Sequence, residues 1–145
     1  MKICLISYIL IALICSIGYT EQIVKVDFIR LMNCIAQAET GHLPEHLRDR
    51  AVSPVGAIGR YQIMPFHAKN FGYKVKDLYK PKINKHMAYK IMAWELKKYK
   101  NIEQAVAAYN GGGRQARLAQ KDRCNETRHY VAKVLRMYYK GHFSK

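Results

Sequence analysis

Carboxylates are scarce in this chain. Ten Asp and Glu stand against 25 Lys and Arg in 145 residues, for a formal charge of +15. A mechanism built on paired carboxylates therefore has few residues to draw on. Other signatures are absent outright. No Gly-rich phosphate loop and no serine nucleophile elbow occur, so nucleotide chemistry and hydrolase-type acyl transfer have no visible machinery. The six histidines, His42, His46, His67, His86, His129 and His142, show no metal-ligand spacing. The one exception, His42 and His46, flanks Pro44, which breaks the helix that such spacing needs. Lys and Arg are scattered and not massed into one run, so no nucleic-acid reading motif is present and no nucleic-acid partner is expected. No segment alternates like a strand, and there is no repeat or low-complexity tract.

What is present begins at the N-terminus. Met1-Lys2 precedes "ICLISYILIALICSIGY", which carries no charge until Glu21. One positive residue, an apolar stretch and then Ser16 and Gly18 read as a secretory signal peptide over residues 1–20, cut near Gly18 or Thr20. The alternative is an uncleaved anchor in the inner membrane, and only then is a membrane partner expected. Either way the chain is exported to the periplasm or beyond, with residues 21–145 as one domain. Cys4 and Cys15 fall in the leader, leaving Cys34 and Cys124 in an oxidising compartment. They are either a disulfide pair or two separate buried thiols.

Helical periodicity dominates the rest. From Ile23 to Glu39 the residues Phe28, Leu31, Met32, Ile35 and Ala36 recur at three and four, and Gly41 ends the segment like a glycine cap. Glu39 lies four residues after Ile35 and so continues the apolar face, unless the last turn frays toward water. Residues 42–63 form a long ordered loop, because Pro44, Pro54, Gly56 and Gly59 forbid a helix of any length. Pro65 opens a second helix to about Asn70. A third runs from about Lys82 to Tyr99, with Ile83, Met87, Ile91, Trp94 and Tyr99 near one stripe and Met87 and Trp94 read as core. A fourth is capped by Asn101 and stopped by the glycines 111–113, and the last spans about Glu126 to Lys140 with Tyr130, Val131, Val134, Leu135 and Tyr138.

Glu39 is the candidate acid. A carboxyl at the rim of a core face is desolvated, and desolvation holds its proton to higher pH. Glycosidases usually need a second carboxylate, for which Asp49, Asp122 and Glu126 are candidates only through folding. One suffices when an N-acetyl group of the substrate assists at the anomeric carbon.

Four stretches, "AETGH", "SPVGAIGRYQIMP", "AVAAYNGG" and "NETRHYVAKVL", occur in an order and spacing that resembles the soluble lytic transglycosylase (SLT) family. The resemblance covers roughly residues 28 to 140. It implies a mainly α, lysozyme-like single domain with a cleft-forming loop, cleaving peptidoglycan glycan strands without a cofactor. Glu39 would be the sole acid/base. Gln62 would hydrogen-bond a substrate sugar and Ser53 would lie near the acetamide. Tyr109 would orient Glu39 or the acetamide, with Asn110 shaping the turn, while Glu126 and Tyr130 would line the cleft. Gly56 and Gly59 are read as backbone necessities. Arg60 and Tyr61 depart from the Leu and Met usual in the family. They are read as cleft-floor groups that pair with a stem-peptide carboxylate or stack on a sugar. A Cys34–Cys124 bridge would clamp the last helix to the catalytic one.

Three alternatives stand beside this reading: a true lysozyme using Asp49 or Glu126, a non-catalytic cationic wall- or membrane-binding protein, and a nucleic-acid binder. Partners beyond the wall itself would be a secretion, conjugation or phage lysis apparatus.

Overall fold

The computed structural model describes residues 26–99, 101–118 and 126–141. The N-terminal apolar run and Cys124 lie outside these residues. Among the described residues, no helix is long and apolar enough to cross a membrane.

Helix α1 (Phe28–Thr40) starts where the Asp27 carboxylate accepts the Arg30 amide at 3.0 Å. It buries Leu31, Met32, Cys34, Ile35, Ala36 and Ala38. The Asp27 amide donates to the Tyr138 hydroxyl at 2.9 Å, tying the start of the chain's core to its last helix. Gly41 ends α1 differently from expectation. Its φ of −64° is right-handed, and glycine is needed for space, since a Cβ would meet the Gln37 side chain and carbonyl.

The segment that follows was expected to be without helix. It contains one short turn, α2 (Glu45–Arg48), before an irregular stretch pinned by the bridges Val52–Ile58 and Ile58–Ile63. Next come α3 (Pro65–Asn70), with Pro65 in its first turn, and a 3₁₀ turn at Val75–Tyr79. Helix α4 (Pro81–Tyr99) buries Asn84, Met87, Ala88, Ile91, Met92 and Glu95. That stripe places Trp94 at its edge, so the tryptophan is 57% exposed and is not a core residue as its spacing had suggested.

Helix α5 (Ile102–Leu118) is capped by Asn101, whose side-chain oxygen accepts the amides of Glu103 at 2.8 Å and Gln104 at 3.2 Å. The glycines that were expected to stop it produce a kink. Gly112 has φ 76° and ψ 179°, and helical geometry resumes beyond it. Helix α6 (Glu126–Lys140) buries Val131, Val134, Leu135, Met137 and Tyr138. Packing runs α4 on α5, α5 on α6 and α6 on α1, enclosing one core that includes Leu31, Met32, Ile35, Met87, Met92, Val106 and Val134. Each such fully buried aliphatic side chain contributes about 1.5–3 kcal/mol.

One polar residue inside that core fixes the loop. Asn84, 1% exposed, donates to the carbonyls of Ile58 at 2.8 Å and Leu78 at 3.1 Å and accepts the Tyr61 amide at 3.1 Å. Gly59, with φ 79°, passes so close that a Cβ there would lie 2.5 Å from the Asn84 amide nitrogen. Loop and helix are thus joined through a buried amide, as a satisfied internal polar group must be.

Candidate active site

The C-terminal end of α1, the loop and the kinked α5 enclose a cavity of about 250 Å³. Its walls are Glu39, Ser53, Val55, Ala57, Gln62, Ile63, Met64, His67, Ile91, Tyr109, Asn110 and Glu126. Glu39 stands in the last turn of α1, half-buried, where the apolar periodicity had placed it. The Tyr130 hydroxyl donates to its Oε1 at 2.7 Å. Burial pushes the Glu39 carboxyl up to about 7, even though the Tyr130 hydrogen bond and the nearby Lys133 charge both favour the ionised form. The Lys133 ammonium donates to the Ala38 carbonyl at 2.9 Å, so α6 grips the final turn of α1 from two side chains one turn apart.

The loop wall is shaped by its own backbone. Ser53 Oγ accepts the Ala57 amide at 3.0 Å, and the Ser53 amide donates to the Ala57 carbonyl at 2.9 Å. Gly56 turns this small ring with φ 85°. Gln62 alone among the described non-glycine residues has positive φ, 51°, and its Nε2 donates to the Gly59 carbonyl at 2.9 Å. Such strain in a residue facing a cavity is typical of functional positions.

From the opposite side, the Tyr109 hydroxyl donates to the Tyr61 carbonyl at 2.9 Å, and burial first, then the Glu39 charge, raises its pKa well above the phenol value. Tyr109 therefore braces the loop, and it is Tyr130 that bonds the carboxylate. Asn110 Oδ1 accepts the Thr127 hydroxyl at 3.0 Å, which joins the α5 kink to the first turn of α6. Glu126, exposed, lies in that same turn.

Glu39, Ser53, Gln62, Tyr109, Asn110 and Glu126 thus converge on one cavity, with Tyr130 behind Glu39. Arg60 and Tyr61 do not join them. They line a separate cavity of about 520 Å³ with Asn33, Gln37, Asp49 and Lys85. Gly59 to Gln62 form a turn, closed by the Gln62 amide donating to the Gly59 carbonyl at 3.0 Å with Gln62 at positive φ, so Gln62 lines the Glu39 cavity while Arg60 and Tyr61 line the other. Arg60 is held by Asp49 at 2.9 and 3.1 Å and by Glu45, and Tyr61 is 4% exposed with its ring edge-on to Tyr89. The cleft-floor role expected for these two residues is corrected accordingly. Asp49, a candidate second carboxylate, is occupied by Arg60 outside the Glu39 cavity.

Asp122, another candidate, lies outside the described residues. Cys34 is buried and unbridged among the described residues, its pKa raised by burial, and its candidate partner Cys124 likewise lies outside the described residues.

Sequence reasoning missed His67, which sits in the cavity wall with its imidazole pKa lowered by burial. It also missed Lys133 and Thr127, whose partners lie on other helices, and Asn84, an isolated amide whose only signal was its place on the apolar stripe of α4. Among the described residues, no three His, Cys, Asp or Glu side chains cluster to hold a metal ion.

An all-helical body with a half-buried glutamate at a helix end, facing a loop-walled cavity, defines a lysozyme-like fold. Residues 29–131 match the Transglycosylase SLT domain, and the chain belongs to that family. Over 107 residues it is 33% identical to the transglycosylase of Enterobacteria phage PRD1, a match covering 74% of this chain and 36% of that protein. The chain therefore spans about a third of that relative's length. Its fold matches that of lytic transglycosylase Slt from Pseudomonas aeruginosa, solved as an inactive glutamate-to-glutamine mutant. The TM-score is 0.61 at 24% identity, over 77% of this chain and 21% of that one.

Proposed function

We propose that the protein is an exported peptidoglycan lytic transglycosylase with Glu39 as its only acid/base. The observation that carries this reading is the Glu39 carboxyl, pushed to about 7 by burial in a cavity whose one other carboxylate among the described residues, Glu126, is exposed. A group titrating there is protonated often enough to donate and ionised often enough to accept. In the first step Glu39 gives its proton to the oxygen bridging N-acetylmuramic acid and N-acetylglucosamine. That C–O bond breaks while the muramyl acetamide oxygen bonds to C1 as an oxazolinium-like intermediate. In the second, ionised Glu39 takes the proton of the muramyl 6-hydroxyl, whose oxygen attacks C1 and expels the acetamide. A 1,6-anhydro ring closes, Glu39 regains its proton, and no water is consumed.

Supporting groups take their roles from position. Ser53, Gln62 and Asn110 line the cavity with polar atoms for sugar hydroxyls and the acetamide. Tyr109 holds the Gln62 wall in place through the Tyr61 carbonyl. Tyr130 orients the carboxylate by donating to one oxygen, leaving the other for substrate. The charge of +15 suits a wall rich in carboxylates and phosphates.

Glu126 keeps a second reading in view, because it is a carboxylate in the cavity wall able to position water as a lysozyme would. Digestion of purified peptidoglycan in water enriched in oxygen-18 separates the two. Transglycosylation leaves anhydro ends with no label, whereas hydrolysis leaves reducing ends carrying one labelled oxygen. Labelled products would overturn the water-free mechanism and implicate Glu126.

A further inference from the structure

The solvent side of α4 is basic and aromatic, and the site described above does not use it. Lys90, Lys97 and Lys98 are exposed there, while the helix's one carboxylate, Glu95, is turned into the core. Trp94, the only tryptophan in the chain, lies among them 57% exposed. The Lys98 ammonium sits 4.5 Å from the centroid of its ring, and the Lys90 ammonium 5.8 Å from that of Phe71, itself 37% exposed.

This face adjoins the Glu39 cavity. Ile91 lines that cavity between Lys90 and Trp94 in sequence, and His67 lines it one turn before Phe71. At the other end Lys98 Nζ lies 3.7 Å from where a Cβ on Gly113 would stand, close to the kink that follows cavity-lining Asn110.

We propose that the Lys90–Trp94–Lys98 face is a docking surface for an anionic glycan strand, taking sugars of the strand beyond those in the cavity. The inference rests on the glycan-cleaving reading above. An indole face offers an apolar plane to the C–H side of a sugar ring. Flanking ammonium groups match carboxylates borne along such a strand. An anionic bilayer fits less well, because an interfacial helix needs a broad apolar face, and here one indole and Ala93 stand among the helix's lysines with the Phe71 ring beside them. A second contact on the same strand multiplies affinity for long chains and does nothing for short ones.

Because Trp94 is the sole tryptophan, its emission reports on this face directly. The test titrates the Glu39→Gln protein with soluble uncrosslinked glycan strands and, separately, with a tetrasaccharide of the same sugars. Strands are expected to shift or quench the emission saturably, and the tetrasaccharide to leave it unchanged. Replacing both Lys90 and Lys98 by Gln in that background is expected to weaken strand binding about tenfold. The same pair of replacements with Glu39 intact should leave the rate on the tetrasaccharide unaltered.

Emission unmoved by strands at concentrations where the unmutated protein is saturated for cleavage would overturn the proposal. So would an equal or larger response to anionic phospholipid vesicles or to duplex DNA. Failure of the protein with Glu39 intact to cleave either glycan would instead defeat the transglycosylase reading, since the emission change is read without turnover.

Discussion

A glutamate one residue from the end of a helix would ordinarily be solvated and acidic. Glu39 is half-buried, and that burial outweighs the hydrogen bond it accepts from the Tyr130 hydroxyl at 2.7 Å and holds its proton to higher pH. Removing that hydroxyl takes away a hydrogen bond to the ionised form, an interaction of ~1.5–3 kcal/mol. Tyr130→Phe should therefore raise the Glu39 pKa further and move the pH–rate profile toward alkaline values, with folding intact. Tyr109→Phe acts on the Tyr61 carbonyl instead and should lower the rate without that displacement. Profiles of kcat/KM against pH for the two variants check the pair. The position of Glu39 was legible in the sequence, since it depends only on periodicity along one helix. Which tyrosine reaches it was not, because that depends on how α6 crosses α1.

The same division holds for the elements. Pro65 and the apolar spacing of α4 and α6 marked helices whose limits the structure reproduces within a residue or so, and Asn101 marked the start of α5 but not its end at Leu118. Local chemistry decides such ends. Trp94 was misplaced because α4 carries apolar residues on more than one side, and the burial stripe passes through Glu95 in place of its neighbour. The loop is the element least legible from sequence, as its conformation is set by Asn84 from a distant helix and by the Gly59–Gln62 turn, in which Gln62 takes a positive φ. Arg60 and Tyr61 were consequently assigned to the wrong side.

The dependence on Asn84 has a direct consequence at Gly59. Substitution there forces both a left-handed φ of 79° and a clash with the amide. Gly59→Ala should destabilise the fold by roughly 2–4 kcal/mol and reduce cleavage more than Gly56→Ala, whose Cβ would meet nothing within 4 Å. Urea unfolding of the two variants alongside activity provides the comparison.

For the whole molecule, the site costs stability. Two carboxyls, Glu39 and Glu95, are raised by burial, in Glu95 with its Oε2 unpartnered among the described residues. A carboxyl whose folded pKa lies above its unfolded one binds its proton more tightly when folded. Its contribution is full at low pH and is lost as pH rises through the folded value. For Glu39 the rise from 4.5 to about 7 corresponds to roughly 3 kcal/mol. Glu39→Gln should therefore be inactive yet more stable than the parent at pH 8, with the gap closing as pH falls toward 4.5. Thermal unfolding across that range reads it out.

All of this turns on one quantity, the titration of Glu39 itself. Carbon-13 NMR of glutamate-labelled protein resolves the side-chain carboxyl, with Glu39→Gln identifying the resonance by its loss. A midpoint near 7 is the result expected of a single group that donates a proton and then takes one back. A midpoint near the ordinary 4.5 would contradict the account, because Glu39 would then be ionised at neutral pH and unable to serve as the acid.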